Sequence, residues 1–511
     1  MSTTYLGHER RLSTVKVRAG SALLVFLWFV LVTASGQAQS SFVYTNNNEI
    51  PNTVTAFSVG FGGTLMMVPG SPFMTGGDGF GFEAASNTAA ATMTMRKRFL
   101  YVSNTGTNNI SGFSIDTTTG ALTLVPGSPF ATRGLGSLFG ISLAVTPNGK
   151  FLYAGNAVSS DISAFSVGSN GALTPVEGSP FPAGDSVEGI KVSPNGRFLG
   201  VALPLSDSVA MFSIGSNGAL ASVPGSPFHQ GGSGGAAYVD MSCNSKLLFA
   251  ALGNAGPDTQ VGVSTIASSG ALSPIAGSPF TFVPGANSSV GILSPNNQWL
   301  FVSNQDSSTI TSLDVESNGS LAQVSGSPFS NSGGIGPNGM ATNAEGTLLY
   351  VANGDNTVTG FSIDNSNGSL SPVLGNPFVT GGAGFLTSLT TFPAKRVEGE
   401  GDENGDDGHK GHFRFEAERE CKASSGVEFE ERDTGKGMKG SVDTYTVVGN
   451  TATITGAGTL LDGTPVTYTA VALGNAPIIG ANRFAISWIT ATGSVFQTSG
   501  ALIDGYIAVH P

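Results

Sequence analysis

Hydrophobic residues along most of this chain fall in short alternating runs separated by turn residues, the pattern of half-buried strands. Between residues 141 and 176 four runs follow one another: 141–145, Phe151-Leu152-Tyr153, 162–167 and 173–176. In the intervening turns Pro147-Asn148-Gly149 and Pro194-Asn195-Gly196, proline pre-sets φ, asparagine tolerates left-handed geometry and glycine needs no side-chain room. Asn-Gly at 170–171, 217–218, 318–319 and 367–368 is a strong hairpin signal. The pattern predicts four-stranded antiparallel units.

One element dominates the self-similarity of the chain: Gly-Ser-Pro-Phe, ending at Phe73, Phe130, Phe181, Phe228, Phe280 and Phe329, with Gly-Asn-Pro-Phe ending at Phe378. The seven copies lie 47 to 57 residues apart, the period of propeller blades and too long for leucine-rich or ankyrin units. The first copy starts at Phe42 without a first strand, and one extra run, 385–392, follows the last. These two ends are expected to pair and complete a single blade, which removes open sheet edges. The recurring phenylalanine is expected to wedge between blades. Asn46, Asn104, Asn156, Asn304 and Asn353, each just after a second strand, are expected to cap the next turn.

Composition narrows the classes further. With 73 Gly and 26 Pro in 511 residues the chain is not mainly helical, and a hydrophobic fraction of 40% excludes wholesale disorder. A net charge of −12 carried by few groups leaves no broad basic surface, so nucleic acid is not an expected partner. Cys243 and Cys421 lie 178 positions apart, so a disulfide framework is not expected to hold the fold and Cys421 reads as a single thiol. Arg10, Arg11, Lys16 and Arg18 precede an apolar run, 22–32, and then small residues, the pattern of an export signal cleaved after Ala38, with an uncleaved anchor as the alternative. No later stretch is apolar for the roughly 20 residues a membrane span needs. A secreted or periplasmic protein without a membrane span after cleavage is expected.

Leu100-Tyr101-Val102-Ser103-Asn104 and Leu349-Tyr350-Val351-Ala352-Asn353, with Ser193-Pro194-Asn195-Gly196 ahead of a comparable strand, resemble the YVTN and lactonase-type seven-bladed β-propellers. The resemblance covers residues 41–394 and implies the architecture. Its relatives include 6-phosphogluconolactonases, a cycloisomerase branch acting on carboxylated muconolactones, and secreted members without an assigned activity. Lactone hydrolysis needs a base or metal to activate water and a donor or cation for the oxyanion, and anionic sugar phosphates also call for Arg or Lys clusters. The propeller segment holds eight basic residues: Arg96, Lys97, Arg98, Arg133, Lys150, Lys191, Arg197 and Lys246. Lys150, Arg197 and Lys246 fall in turns between first and second strands, on the face opposite the loops that join blades.

The one histidine of this segment, His229, follows Phe228 in a loop between blades. His229 or Glu188 as base, with Arg133 as oxyanion or carboxylate partner, is the candidate catalytic set. Asp78, Glu83, Asp185, Asp161, Asp207, Asp258, Asp306 and Asp355 occupy loops that open on the same face. Such an acidic rim makes calcium possible, although no spacing singles out ligands, and no other cofactor is expected.

After residue 395 the composition shifts. Glu398, Glu400, Asp402, Glu403, Asp406 and Asp407, interleaved with Gly and Asn, read as an acidic Gly-rich linker over 395–411. Alternation returns over 412–511 in seven or eight short runs, which predicts a small antiparallel β-sandwich. Segments 449–456 and 484–488 resemble the post-COAP domains found at the ends of bacterial secreted proteins. His409 and His412 stand beside Gly408 and Gly411, which argue against the helix a metal pair would need. The expected organisation is all-β: signal 1–38, seven-bladed propeller 41–394, linker 395–411 and sandwich 412–511. Two functions stay open, a secreted binding or scaffold module with an envelope, carbohydrate or protein ligand, and a lactone hydrolase working at the loop face.

Overall fold

The computed structural model describes residues 41–81, 93–96, 98–136, 140–232, 234–253, 258–283, 287–392, 396–406, 408–418, 426–448, 450–474 and 481–510. The export signal expected at 1–38 lies outside them. Among the described residues no helix is long and apolar enough to cross a membrane.

Seven antiparallel sheets follow one another as blades, numbered 1 to 7 from Phe42. Blade 3 is representative: an inner strand Ile141–Val145, a second Phe151–Asn156, a third Asp161–Val167 and a fourth Leu173–Pro175. A two-residue segment, Phe181–Pro182, returns to pair with the start of the third strand. The ring closes through both ends of the propeller. Phe42–Asn46 pairs antiparallel with Ser388–Phe392, from Phe42 opposite Phe392 to Asn46 opposite Ser388, and Ser388–Phe392 becomes the inner strand of blade 1.

The repeated tetrapeptide is the structural signature of each blade. Its glycine holds φ between 83° and 96° in all seven copies, a conformation L side chains avoid. The serine hydroxyl accepts the amide of a third-strand residue at 2.8–3.0 Å, as Ser71 does from Ala56 and Ser128 from Gly112. Asn376 does the same for Gly360, which is why asparagine can replace serine in the last copy. Each phenylalanine packs into the apolar cluster between its own blade and the next, Phe73 between blades 1 and 2 and Phe378 between blades 7 and 1. Tyr44, Tyr101, Tyr153 and Tyr350, on second strands, bridge the same seams by donating to carbonyls of Gly120, Gly171, Gly218 and Gly63.

Residues 396–510 form a closed eight-stranded antiparallel barrel, so the second domain is antiparallel β as expected but its sheet closes on itself instead of splitting into two layers. The stretch read as an acidic linker is instead the first barrel strand, Arg396–Gly405, paired with Lys410–Glu418 on one side and Val495–His510 on the other. Acids and glycines alternate there with period two. Val397, Gly399, Gly401 and Glu403 face inward, where a β-carbon on Gly399 would lie 2.7 Å from the Phe415 ring, while Glu400 and Asp402 face solvent and pair with Arg414 and Arg432. Phe413, Phe415, Phe429, Phe484 and Trp488 fill the interior. His412 Nδ1 lies 2.7 Å from Asp402 Oδ1, a contact made on a strand. Cys243 is disulfide-bonded; Cys421, read as a single thiol, lies outside the described residues.

Candidate functional site

Inner strands surround the axis of a propeller, and their starting ends share a face with the loops that join one blade to the next. At that mouth four blades present buried polar atoms without a hydrogen-bond partner among the described residues: Ser388 Oγ in blade 1, Ser142 Oγ in blade 3, both Glu188 carboxylate oxygens in blade 4 and Ser288 Oγ in blade 6. Glu188 is only 4% exposed. It sits two residues ahead of the inner strand Ile190–Val192, fixed by its own amide donating to Ala202 O while the Ala202 amide donates to Gly189 O. A β-carbon on Gly155 would lie 2.9 Å from Ser142 Oγ and 2.4 Å from Val187, so Ser142 and the Glu188 segment flank one seam between blades 3 and 4. Burial holds the Glu188 carboxyl well above the usual carboxylate range.

The other members of the candidate set stand elsewhere on this face. His229 ends the short segment Phe228–His229, opposite Ser208, with Phe228 opposite Val209 and Val209 in turn opposite Ala202. Three strand spacings of roughly 4.8 Å therefore put the His229 segment about 14 Å from Glu188. The His229 imidazole is 68% exposed and faces Asp207 at 3.7 Å. Asp207, in left-handed conformation, is held above the ordinary value by burial, opposed by the charge of His229 and the amides of Gly232 and Gly231. Arg133 is exposed, also left-handed, in the loop leaving blade 2. Glu188 is thus buried just ahead of an inner strand, whereas His229 and Arg133 are exposed in loops of the same face.

Several of the remaining loop acids have structural partners, Asp185 among them, which accepts from the Ser186 amide. Asp161 accepts from Asn156, Asp306 from Asn287, and Asp355 from the Ile335 amide and Thr357. Asn104, Asn156, Asn304 and Asn353 donate across their loops to side chains of the following third strand, and Asn46 accepts the Asn48 amide of its turn while donating to Ser103 O of the next blade. No group of three metal-ligating side chains occurs among the described residues, and Glu83 lies outside them. Lys150, Arg197 and Lys246 fall in the turns at the far end of the inner strands, where Arg197 lies over the Phe198 ring. Arg133 is the one described propeller cation in a loop of the mouth face. Sequence reasoning missed Lys191 and Asp240, which form a 3.0 Å ion pair between the inner strands of blades 4 and 5, with Asp240 also accepting the Leu293 amide of blade 6. Nothing local in the sequence marks that pair, because each partner lies on a different repeat.

The comparisons with known proteins agree with this architecture. No curated protein matches the chain. Among solved structures, a putative 6-phosphogluconolactonase from Bacteroides uniformis matches with a TM-score of 0.56 at 18% identity, over 70% of this chain and 100% of that one. A periplasmic gluconolactonase from Pseudomonas aeruginosa matches with a TM-score of 0.55 at 18% identity, over 69% of this chain and 98% of that one. A protein from Lactobacillus plantarum matches with a TM-score of 0.53 at 16% identity, over 70% of this chain and 100% of that one. At such identities the likeness carries the fold. The family model described as Lactonase, 7-bladed beta-propeller matches residues 37–187, 143–231 and 258–385. With well over half the sequence matched and all seven blades in place, the chain belongs to the lactonase family of seven-bladed β-propellers.

Proposed function

We propose that the mouth of the propeller binds and hydrolyses an uncharged lactone, with Glu188 as general base. The observation that carries this reading is the Glu188 carboxyl, buried at the axis end of an inner strand with neither oxygen hydrogen-bonded among the described residues. A protein keeps such a group against a desolvation cost, and a carboxylate made more basic by burial abstracts a proton from water more readily near neutral pH. In the proposed step Glu188 takes a proton from water as the water oxygen adds to the lactone carbonyl carbon. The ring C–O bond then breaks, and the proton passes to the departing alkoxide to give the open hydroxy acid. The unpartnered hydroxyls of Ser142, Ser288 and Ser388 supply neutral donors for the oxyanion and ring substituents.

The scarcity of cations at the mouth favours a neutral ring over a phosphorylated one. The lactonase names of the structural relatives and the membership of the chain in that family support the reaction class. An exported location is part of the proposal, supported by the disulfide at Cys243, since such bonds persist mainly in oxidising compartments. The test is turnover of neutral lactones by wild type and Glu188→Gln. A loss of about 10²- to 10⁴-fold, with a wild-type rate that rises with pH through a midpoint above the ordinary glutamate range, supports the assignment. Unchanged turnover in the variant removes Glu188. Binding without turnover returns the binding-module expectation.

A further inference from the structure

The mouth face carries large apolar side chains in solvent. Ile50, Val158 and Leu205 project from loops between second and third strands, and Leu135, Val283 and Ile335 from loops between blades, with exposures from 47% to 79%. Three of them, Leu135, Val158 and Leu205, sit on loops that are linked through backbone hydrogen bonds and short chain connections to the residues around Glu188. The Val158 amide donates to Leu135 O at 2.9 Å, joining these two at the rim of blade 3. The neighbouring Ala157 carbonyl accepts from Ser186 Oγ at 3.0 Å, two residues before Glu188. On the other side Leu205 follows Ala202, the residue whose backbone brackets Glu188 and Gly189, by three positions, a reach of at most about 11 Å. Leu205 is 79% exposed at the tip of its turn.

We infer that this apolar rim, Leu135, Val158 and Leu205, is a subsite for a hydrocarbon substituent on the lactone ring, so that the substrate class is an alkyl or acyl lactone instead of a sugar lactone. The inference rests on the proposed lactone hydrolysis at Glu188. A polyhydroxylated ring would set its hydroxyls against three side chains unable to hydrogen-bond, whereas an alkyl chain covers them and releases ordered water. The interspersed acids Asp161, Asp185 and Asp207 disfavour an anionic tail and leave a neutral one. The six apolar residues are spread over loops around the face and do not form one continuous surface, which suits a chain a few carbons long better than a protein interface.

The test is kcat/KM for a homologous series of γ-lactones with alkyl chains of increasing length, alongside glucono-lactone, for wild type, Val158→Ser and Leu205→Ser. A half-buried methylene raises kcat/KM about twofold, so the wild-type value is expected to climb through the series and the climb to flatten in both variants. Turnover that is flat with chain length, or fastest on glucono-lactone, overturns this inference and leaves lactone hydrolysis standing. A climb unaltered by either substitution overturns the rim as the subsite. Failure of the wild-type protein to open any of these lactones overturns both readings together.

Discussion

Replacing Glu188 by methionine separates its energetic cost from its chemical use. The substitution keeps the side-chain length, suits a buried position, and removes two oxygens that lack a hydrogen-bond partner among the described residues. A buried polar group without a partner costs about 1–3 kcal/mol, so Glu188→Met is expected to stabilise the propeller by about 2 kcal/mol near neutral pH. With a urea m-value of roughly 3–4 kcal/mol/M for a domain of this size, the midpoint moves up by about 0.5 M. The gain must depend on pH in one direction. The ordinary glutamate value is 4.5, and burial raises that of the native state. Between the two values the native protein binds more protons than the unfolded chain, so wild-type stability is full below about 4.5 and falls as pH rises through the native value. Methionine has no such slope. The difference between variant and wild type is therefore smallest in acid and grows toward neutral pH, while lactone turnover is lost. Urea titrations followed by near-ultraviolet circular dichroism between pH 4 and 8 would measure it. A variant less stable than wild type at every pH, or a difference that does not change with pH, would refute the burial account.

Three other perturbations probe the frame that holds this site. Tyr101→Phe removes a buried 2.8 Å hydrogen bond to Gly171 O across a blade seam and should cost about 1 kcal/mol, read from the same urea midpoint. Phe42→Ala empties a fully buried position that stacks on Phe392 at 6.3 Å in the closing blade, and a loss of about 3–5 kcal/mol is expected, with faster proteolysis at the clasp as an independent readout. Gly399→Ala drives a methyl into the Phe415 ring inside the barrel and should cost about 1–3 kcal/mol, visible as a drop in barrel melting temperature with the propeller transition unmoved.

The repeat made the propeller legible because the same local contacts recur in every copy. Glycine geometry and serine-to-amide bonds are each fixed within one tetrapeptide and its own third strand, and the phenylalanine meets the same kind of seam in every copy, so spacing alone reported them. Closure was legible as a missing strand at one end and a surplus one at the other. Position around the axis was harder to read. Glu188, His229 and Arg133 looked equivalent as ionisable loop residues, and what distinguishes Glu188 is its burial, beside a backbone pairing with Ala202 of the next strand that no local sequence signal marks. The acidic stretch at 396–405 misled for the opposite reason. Most of its charges occupy one face of a strand whose other face carries glycines where aromatic rings from Lys410–Glu418 fill the space, and glycine there looked like loop composition.

The clasp also sets an order on synthesis. Within the propeller Phe42–Asn46 is made first and its partner Ser388–Phe392 last, so a growing chain holds an unpaired strand edge for the whole time the other blades are being completed. Until residue 392 has left the ribosome, the ring is a curved row of blades with one open flank, reading Phe-Val-Tyr-Thr-Asn, able to pair with any extended strand nearby. A chain permuted to begin between two blades would carry its clasp as an ordinary internal hairpin. Such a chain should reach the finished ring with less loss to association between unfinished copies, and the site at the axis would be assembled at the same moment.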